Sequence, residues 1–184
     1  MTEVSSENST QGFDDGQLRV DPGTQALVSI TSMEQPLSVL PANVSGKVLV
    51  VSSSAPASVE EMLRDLGVDV STAGLIPIAG SDIEYDGPLW TSEPVLPDDL
   101  TGLSMRYTRA LDALEPGHGW VLFDALNALL MYAQRDRVCR FFDHVTSKAR
   151  ERELRGIYTV ASDALDDEAF NSFKRSVDRA VDSR

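Results

Sequence analysis

The chain contains a single cysteine, Cys139, which excludes an intramolecular disulfide framework and any zinc site built on cysteine pairs. Cys139 reads as a small core residue. Histidine is almost as scarce: His118 and His144 are the two present, and their spacing suggests no shared metal. No uncharged apolar run approaches the roughly 20 residues of a membrane-spanning helix. Residues 1–20 lack the basic start and apolar centre of a secretion signal. These absences lead to the expectation of a soluble, cytoplasmic protein that does not engage a membrane.

Positive charge is the next shortage. Against 29 Asp and Glu stand 16 basic residues, of which Lys47, Lys148 and Lys174 are the lysines, and the formal net charge is −13. Such a chain repels itself in dilute buffer, whereas at molar salt the Debye length falls to about 3 Å and the repulsion is screened. The balance reads as that of a halophile's cytoplasm. It also argues against nucleic acid, because phosphate binding needs a cationic face and weakens steeply with salt. Arg150, Arg152 and Arg155 cluster, but Glu151 and Glu153 interleave with them, the pattern of a solvated helix face.

At 184 residues with 42% hydrophobic and 24% charged residues, the chain is long enough for one domain with a sizeable core. Residues 1–20, polar, acidic and turn-rich, read as a flexible N-terminal tail, and 21–184 as a single domain. Strand-like runs occur at Gln25–Ile30, Lys47–Ser52, Leu75–Ile78, Trp120–Phe123 and Ile157–Ala161. Helical spacing fills the gaps. Ser58 to Glu61 form a capping-box pattern ahead of Met62, Leu63 and Leu66, with Gly67 as the stop. Leu100, Leu103, Tyr107, Leu111 and Leu114 follow Asp98 and Asp99. Val138, Phe141, Phe142 and Val145 make a further stripe, and Phe170, Phe173, Val177 and Val181 a last one. The alternation predicts an α/β fold, a mostly parallel sheet covered by helices on both faces.

"WVLFDALNALLMY" places an acid, Asp124, and an amide, Asn127, where a buried strand gives way to a helix marked by Leu126, Leu129 and Leu130. Two readings of Asp124 stand side by side. Ligands of open α/β sheets bind at the carboxyl ends of the strands, which suits a functional carboxylate. Asp is also a common helix N-cap. Asn127 falls on the first helical turn and reads as structural.

The order of segments, from about Gly23 onward and over some 160 residues, resembles the RecA-superfamily domains of the KaiC type, a P-loop nucleoside-triphosphatase family. "GKVLVVSSSAPASVEEMLRDLGVDV" resembles its second strand and helix, and "LPDDLTGLSMRYTRALDAL" its Asp-Leu-Thr region and long helix. "WVLFDALNALLMY" resembles its Walker B segment, and "RGIYTVASDALDDEAFNSFKRSVDRAV" its following strand and last helix. The resemblance implies a RecA-like three-layer sandwich. It also implies that Asp124 matches the acid that helps hold magnesium beside nucleotide phosphates.

The family's phosphate-binding motif is missing. Between the first strand and helix, the glycines of G-x-x-x-x-G-K-[ST] let backbone N–H groups wrap the phosphates, its Lys meets the β and γ phosphates, and its Ser or Thr binds magnesium. From Thr24 to Ser45 there is no Gly, Lys or Arg, and Pro36 or a neighbour falls where the lysine belongs. Gly46-Lys47 opens a strand instead. The acid that the family places after its second strand to prepare the attacking water is also absent: the strand runs into Ser52, Ser53 and Ser54, and Glu60 and Glu61 read as charging a helix N-terminus. The serines either contact a polar ligand or simply form a loop. Phosphoryl transfer rests on positioning and electrostatic stabilisation, so these losses together predict no ATPase activity.

The resulting expectation is a pseudo-ATPase that binds no cofactor and acts through protein contacts in signalling or regulation. Its partner is either a second copy or a related, competent KaiC-like ATPase, pairing through a sheet edge left open near Ala180 and Val181. The alternative is a residual switch that binds ATP and magnesium through Asp124 and Ser52–Ser54 without turnover. A third class, an unrelated enzyme in the same crevice, finds no nucleophile–base pair or metal cluster in the sequence.

Overall fold

The computed structural model describes residues 13–14, 17–34, 41 and 44–182. Most of residues 1–16, and Pro36, lie outside these. Short, almost wholly apolar runs become strands buried on both faces, as a parallel sheet requires. After a two-stranded antiparallel hairpin, β1 (Phe13–Asp14) with β2 (Gln17–Leu18), come β3 (Gln25–Ile30), β4 (Val48–Ser52), β5 (Ala73–Pro77) and β6 (Trp90–Thr91). They are followed by β7 (Trp120–Asp124), β8 (Arg155–Ala161) and β9 (Arg179–Asp182). β3 to β9 form one seven-stranded sheet, parallel throughout, in the order β6-β5-β4-β7-β8-β3-β9.

Among the described residues five α-helices cover it: α1 (Pro56–Asp65), α2 (Leu100–Leu111), α3 (Leu126–Tyr132), α4 (Arg135–Glu151) and α5 (Asp167–Lys174). The side chains of each strand alternate between two cores. Leu27, Leu49, Val51, Val121, Phe123 and Tyr158 meet α2, α4 and α5 on one face. Val28, Val50, Leu75, Leu122 and Ile157 meet Val59 and Leu63 of α1 on the other, together with Leu18 and Val20. The result is the expected α/β three-layer arrangement, consistent with a RecA-like sandwich. Among the described residues no helix is long and apolar enough to cross a membrane.

Several local expectations change. Leu18 and Val20 are buried, at 3% and 7% exposure, because they complete the layer beside α1, so packed chain begins before residue 21. α1 starts three residues earlier than a Ser58 cap implies. Pro56 occupies its first position, where a fixed φ and a missing N–H cost nothing, and Ala55 precedes it without a side-chain cap. Glu60 and Glu61 consequently fall in the second turn, and Glu60 accepts hydrogen bonds from Arg64 and from the Tyr85 hydroxyl. Gly67 does stop the helix: at φ +77° its N–H meets the Arg64 carbonyl while Val68 N–H meets that of Leu63, a Schellman closure.

The C-terminal stripe divides. Phe173 is fully buried edge-on to Phe142, at 5.1 Å between ring centroids, but α5 ends at Lys174. Val181 lies instead on β9, which pairs in parallel with β3. The sheet edge expected near Ala180 and Val181 is therefore formed by β9, the last strand on that side of the sheet. The arginine cluster is structural rather than merely solvated. Arg150 binds the Ser176 carbonyl and Asp178, Arg152 binds the Leu114 carbonyl, and Arg155 binds the Val20 carbonyl while lying over the Trp120 ring.

Candidate functional site

The chain leaves β4 through α1 toward β5, and leaves β7 through α3 and α4 toward β8, in opposite directions along the sheet and over opposite faces. The carboxyl ends of β4 and β7 therefore flank a topological switch point, where open α/β sheets bind ligands. Ser52 and Asp124 are register partners there. The Ser52 hydroxyl donates to Asp124 Oδ2 at 3.3 Å, and the Thr159 hydroxyl of β8 donates to Oδ1 at 2.9 Å. Ser52 and Thr159 are buried, at 2% and 4% exposure, and Ser52 Oγ also accepts the Ser54 N–H at 3.0 Å. Ser53 is exposed.

Asp124 is not a helix cap. Ala125 takes the cap position of α3, with no side-chain hydrogen bond to the helix. Burial raises the Asp124 carboxyl from its ordinary 3.8 to about 6, against the opposing pull of the Thr159 and Ser52 hydroxyls. Asn127 clasps the end of the neighbouring strand, its Oδ1 accepting the Ala161 N–H at 2.9 Å and its amide donating to the Ala161 carbonyl at 3.3 Å.

Beyond β3, where a phosphate loop would begin, the backbone donors of Thr31 and Ser32 are engaged by carboxylates. Glu34 Oε2 accepts the Thr31 N–H at 2.8 Å. Asp163, in the loop after β8, accepts the Ser32 hydroxyl at 2.8 Å and the Ser32 N–H at 3.4 Å. The described segments leaving the sheet at residues 31–34, 52–55, 124–125 and 161–163 carry no Lys, Arg or His. Among the described residues no group of three or more His, Cys, Asp or Glu is arranged to hold a metal ion. The edge thus offers hydroxyls and carboxylates, and no charge that would draw a phosphate.

Of the residues singled out in the sequence, Asp124 and Ser52 meet, Ser54 joins them through its backbone, and Ser53 does not. Thr159, Ser32, Glu34 and Asp163 carried no sequence signal. Each joins the edge from a segment remote in sequence or through a turn that only the folded chain defines.

Residues 39–183 match a family described as of unknown function, DUF7504. The chain belongs to DUF7504. No curated protein matches it. Among solved structures it is similar to the one described as "Structural study of Project ID PH0250 from Pyrococcus horikoshii OT3", at 14% identity and a TM-score of 0.60, over 89% of this chain and 83% of that one. At that identity the likeness concerns the fold. This DUF7504 chain therefore draws its functional reading from its own geometry.

Proposed function

We propose that this DUF7504 protein is a KaiC-like pseudo-ATPase, retaining a RecA-like scaffold while neither binding nor hydrolysing nucleotide, and acting in the cytoplasm as a regulatory module through protein contacts. The observation that carries the reading is the engagement of the Thr31 and Ser32 N–H groups by Glu34 and Asp163. A P-loop turns such donors toward a phosphate. Here two carboxylates hold them, and a phosphate arriving at the same place meets negative charge without a lysine to offset it.

Asp124 supports the same reading. Magnesium is usually held by one or two carboxylates together with substrate phosphates, so a lone acid without a phosphate cradle has little to retain the ion. Loss of chemistry leaves the surface as the carrier of function. Met131 and Tyr132, 76% and 64% exposed in succession at the end of α3, present apolar area suited to a second copy or to a related, competent ATPase.

Turnover assays test the catalytic half of the proposal. Phosphate release from ATP with magnesium should stay at the background of buffer alone, and turnover that persists through purification and disappears in Asp124→Ala contradicts it. Light scattering at high salt tests the association half. A dimer, or a complex recovered with a RecA-type ATPase, is expected; a strict monomer with no crosslinked partner in cells contradicts it.

A further inference from the structure

A second concavity lies at the opposite end of the sheet from Asp124, between the amino ends of β4 and β5, the edge strand β6 and the last turns of α2. Its volume is about 690 Å³, within the range of small-molecule sites. Small residues open it from both walls. Leu49, Gly74 and Trp90 lie in one register row across the sheet, and Gly74 leaves the middle of that row without a side chain. A Cβ at Gly74 would lie 3.0 Å from the Trp90 ring, so the indole rests against the space that the glycine vacates. Ala110 and Ala113 are the facing residues on the α2 side.

The lining runs against the overall charge of the molecule. Trp90 is 57% exposed, a flat aromatic surface kept in contact with water. Around it stand Lys47, Arg106 and Arg109 against one acid, Glu93, in a chain where acids outnumber bases 29 to 16. Two of these cations serve the wall: Lys47 Nζ donates to the Ala113 carbonyl at 3.3 Å, and Arg106 donates to the carbonyls of Glu93 and Pro94 at 2.8 and 3.0 Å. Arg109 is exposed and has no hydrogen-bonding or ionic partner among the described residues.

We propose that this hollow binds a small organic anion with a flat apolar body, its acidic group on the Arg109 guanidinium and its body against Trp90 over Gly74. The charge complementarity selects an anion, since the rim carries a net positive charge within a strongly negative molecule. One guanidinium supplies the bidentate donor fork that carboxylates and sulfonates accept. The exposed indole supplies a face for an aromatic or planar body. A polyanion such as nucleic acid is disfavoured by the net charge of −13 on the whole chain. The inference is independent of the nucleotide edge and stands whether or not ATP binds there.

The test uses anilinonaphthalene sulfonate as the probe, titrated into the full chain in molar potassium chloride and followed by its fluorescence. Saturable one-to-one binding is expected, displaced by naphthoate and not by naphthylmethylamine, which has the same flat body and the opposite charge. Arg109→Glu and Trp90→Ala should each weaken binding by about tenfold or more, the loss expected for one charge-assisted hydrogen bond or one aromatic contact. Both residues are exposed, so circular dichroism and the melting temperature of these variants should match the parent. Absence of saturable binding, equal displacement by the amine, or undiminished binding in both variants overturns the proposal.

Discussion

Asp124 shows how far a single residue can be read from its sequence context. Its position at a strand end was legible, because four apolar residues before it and a three-and-four spacing after it mark the transition. Its bonding was not. Ala125 takes the cap position, and the acid turns instead to Ser52 and to Thr159, the latter hidden in an apolar strand 35 positions further on. The consequence is a pH dependence of known sign. Below 3.8 both folded and unfolded chains carry the proton. Between 3.8 and about 6 the folded chain keeps a proton that the unfolded chain has released, so stability falls as pH rises through this window. At about 1.4 kcal/mol per pH unit the loss is at most about 3 kcal/mol, complete above pH 6. Asp124→Asn removes the titration while its amide still reaches both hydroxyl oxygens. It should raise stability near pH 8 by about 1–3 kcal/mol and remove this residue's contribution to the slope between pH 4 and 7, as measured by denaturant titration in high salt. A variant less stable than the parent at pH 8 contradicts this account of the carboxyl.

At the scale of elements, the apolar runs made the central strands legible, while the edges were hidden. β6 is two residues long, and β9 was disguised because Phe173, Val177 and Val181 recur at a helical spacing of four. What ends α5 early is tertiary. Arg150 holds the Ser176 carbonyl, and Asp178 accepts the Gln25 N–H at 2.9 Å, drawing the chain into register beside β3. Phe173 is the anchor of this return, buried against Phe142. Phe173→Ala should cost about 3–5 kcal/mol, the range for an aromatic removed from a core. Hydrogen exchange should then show β9 losing protection before β7 or β8 does. Uniform loss across the sheet, or a cost below about 1 kcal/mol, contradicts the anchoring role.

At the scale of the whole molecule, the excess of acid bears on stability. A net charge of −13 on 184 residues puts repulsion into the compact state, and the few lysines leave it largely unrelieved. The melting temperature should rise between about 0.1 and 2 M potassium chloride, as the Debye length shortens from about 10 Å to below 3 Å. An unchanged value contradicts the halophilic reading. The fold class followed from the alternation of apolar runs and helical stripes. The state of the carboxyl edge of the sheet followed only in part, since the missing glycines and lysine are visible in the sequence, while the two carboxylates on Thr31 and Ser32 come from a local turn and from a loop 131 positions away.

That edge is where the account is most exposed, and calorimetry addresses it directly. Titration of ATP with magnesium into the protein in molar potassium chloride should give no heat beyond dilution, and the same result in Asp124→Ala. A saturable one-to-one isotherm in the parent that vanishes in Asp124→Ala would show a working nucleotide site at the end of β7 and contradict the pseudo-ATPase reading.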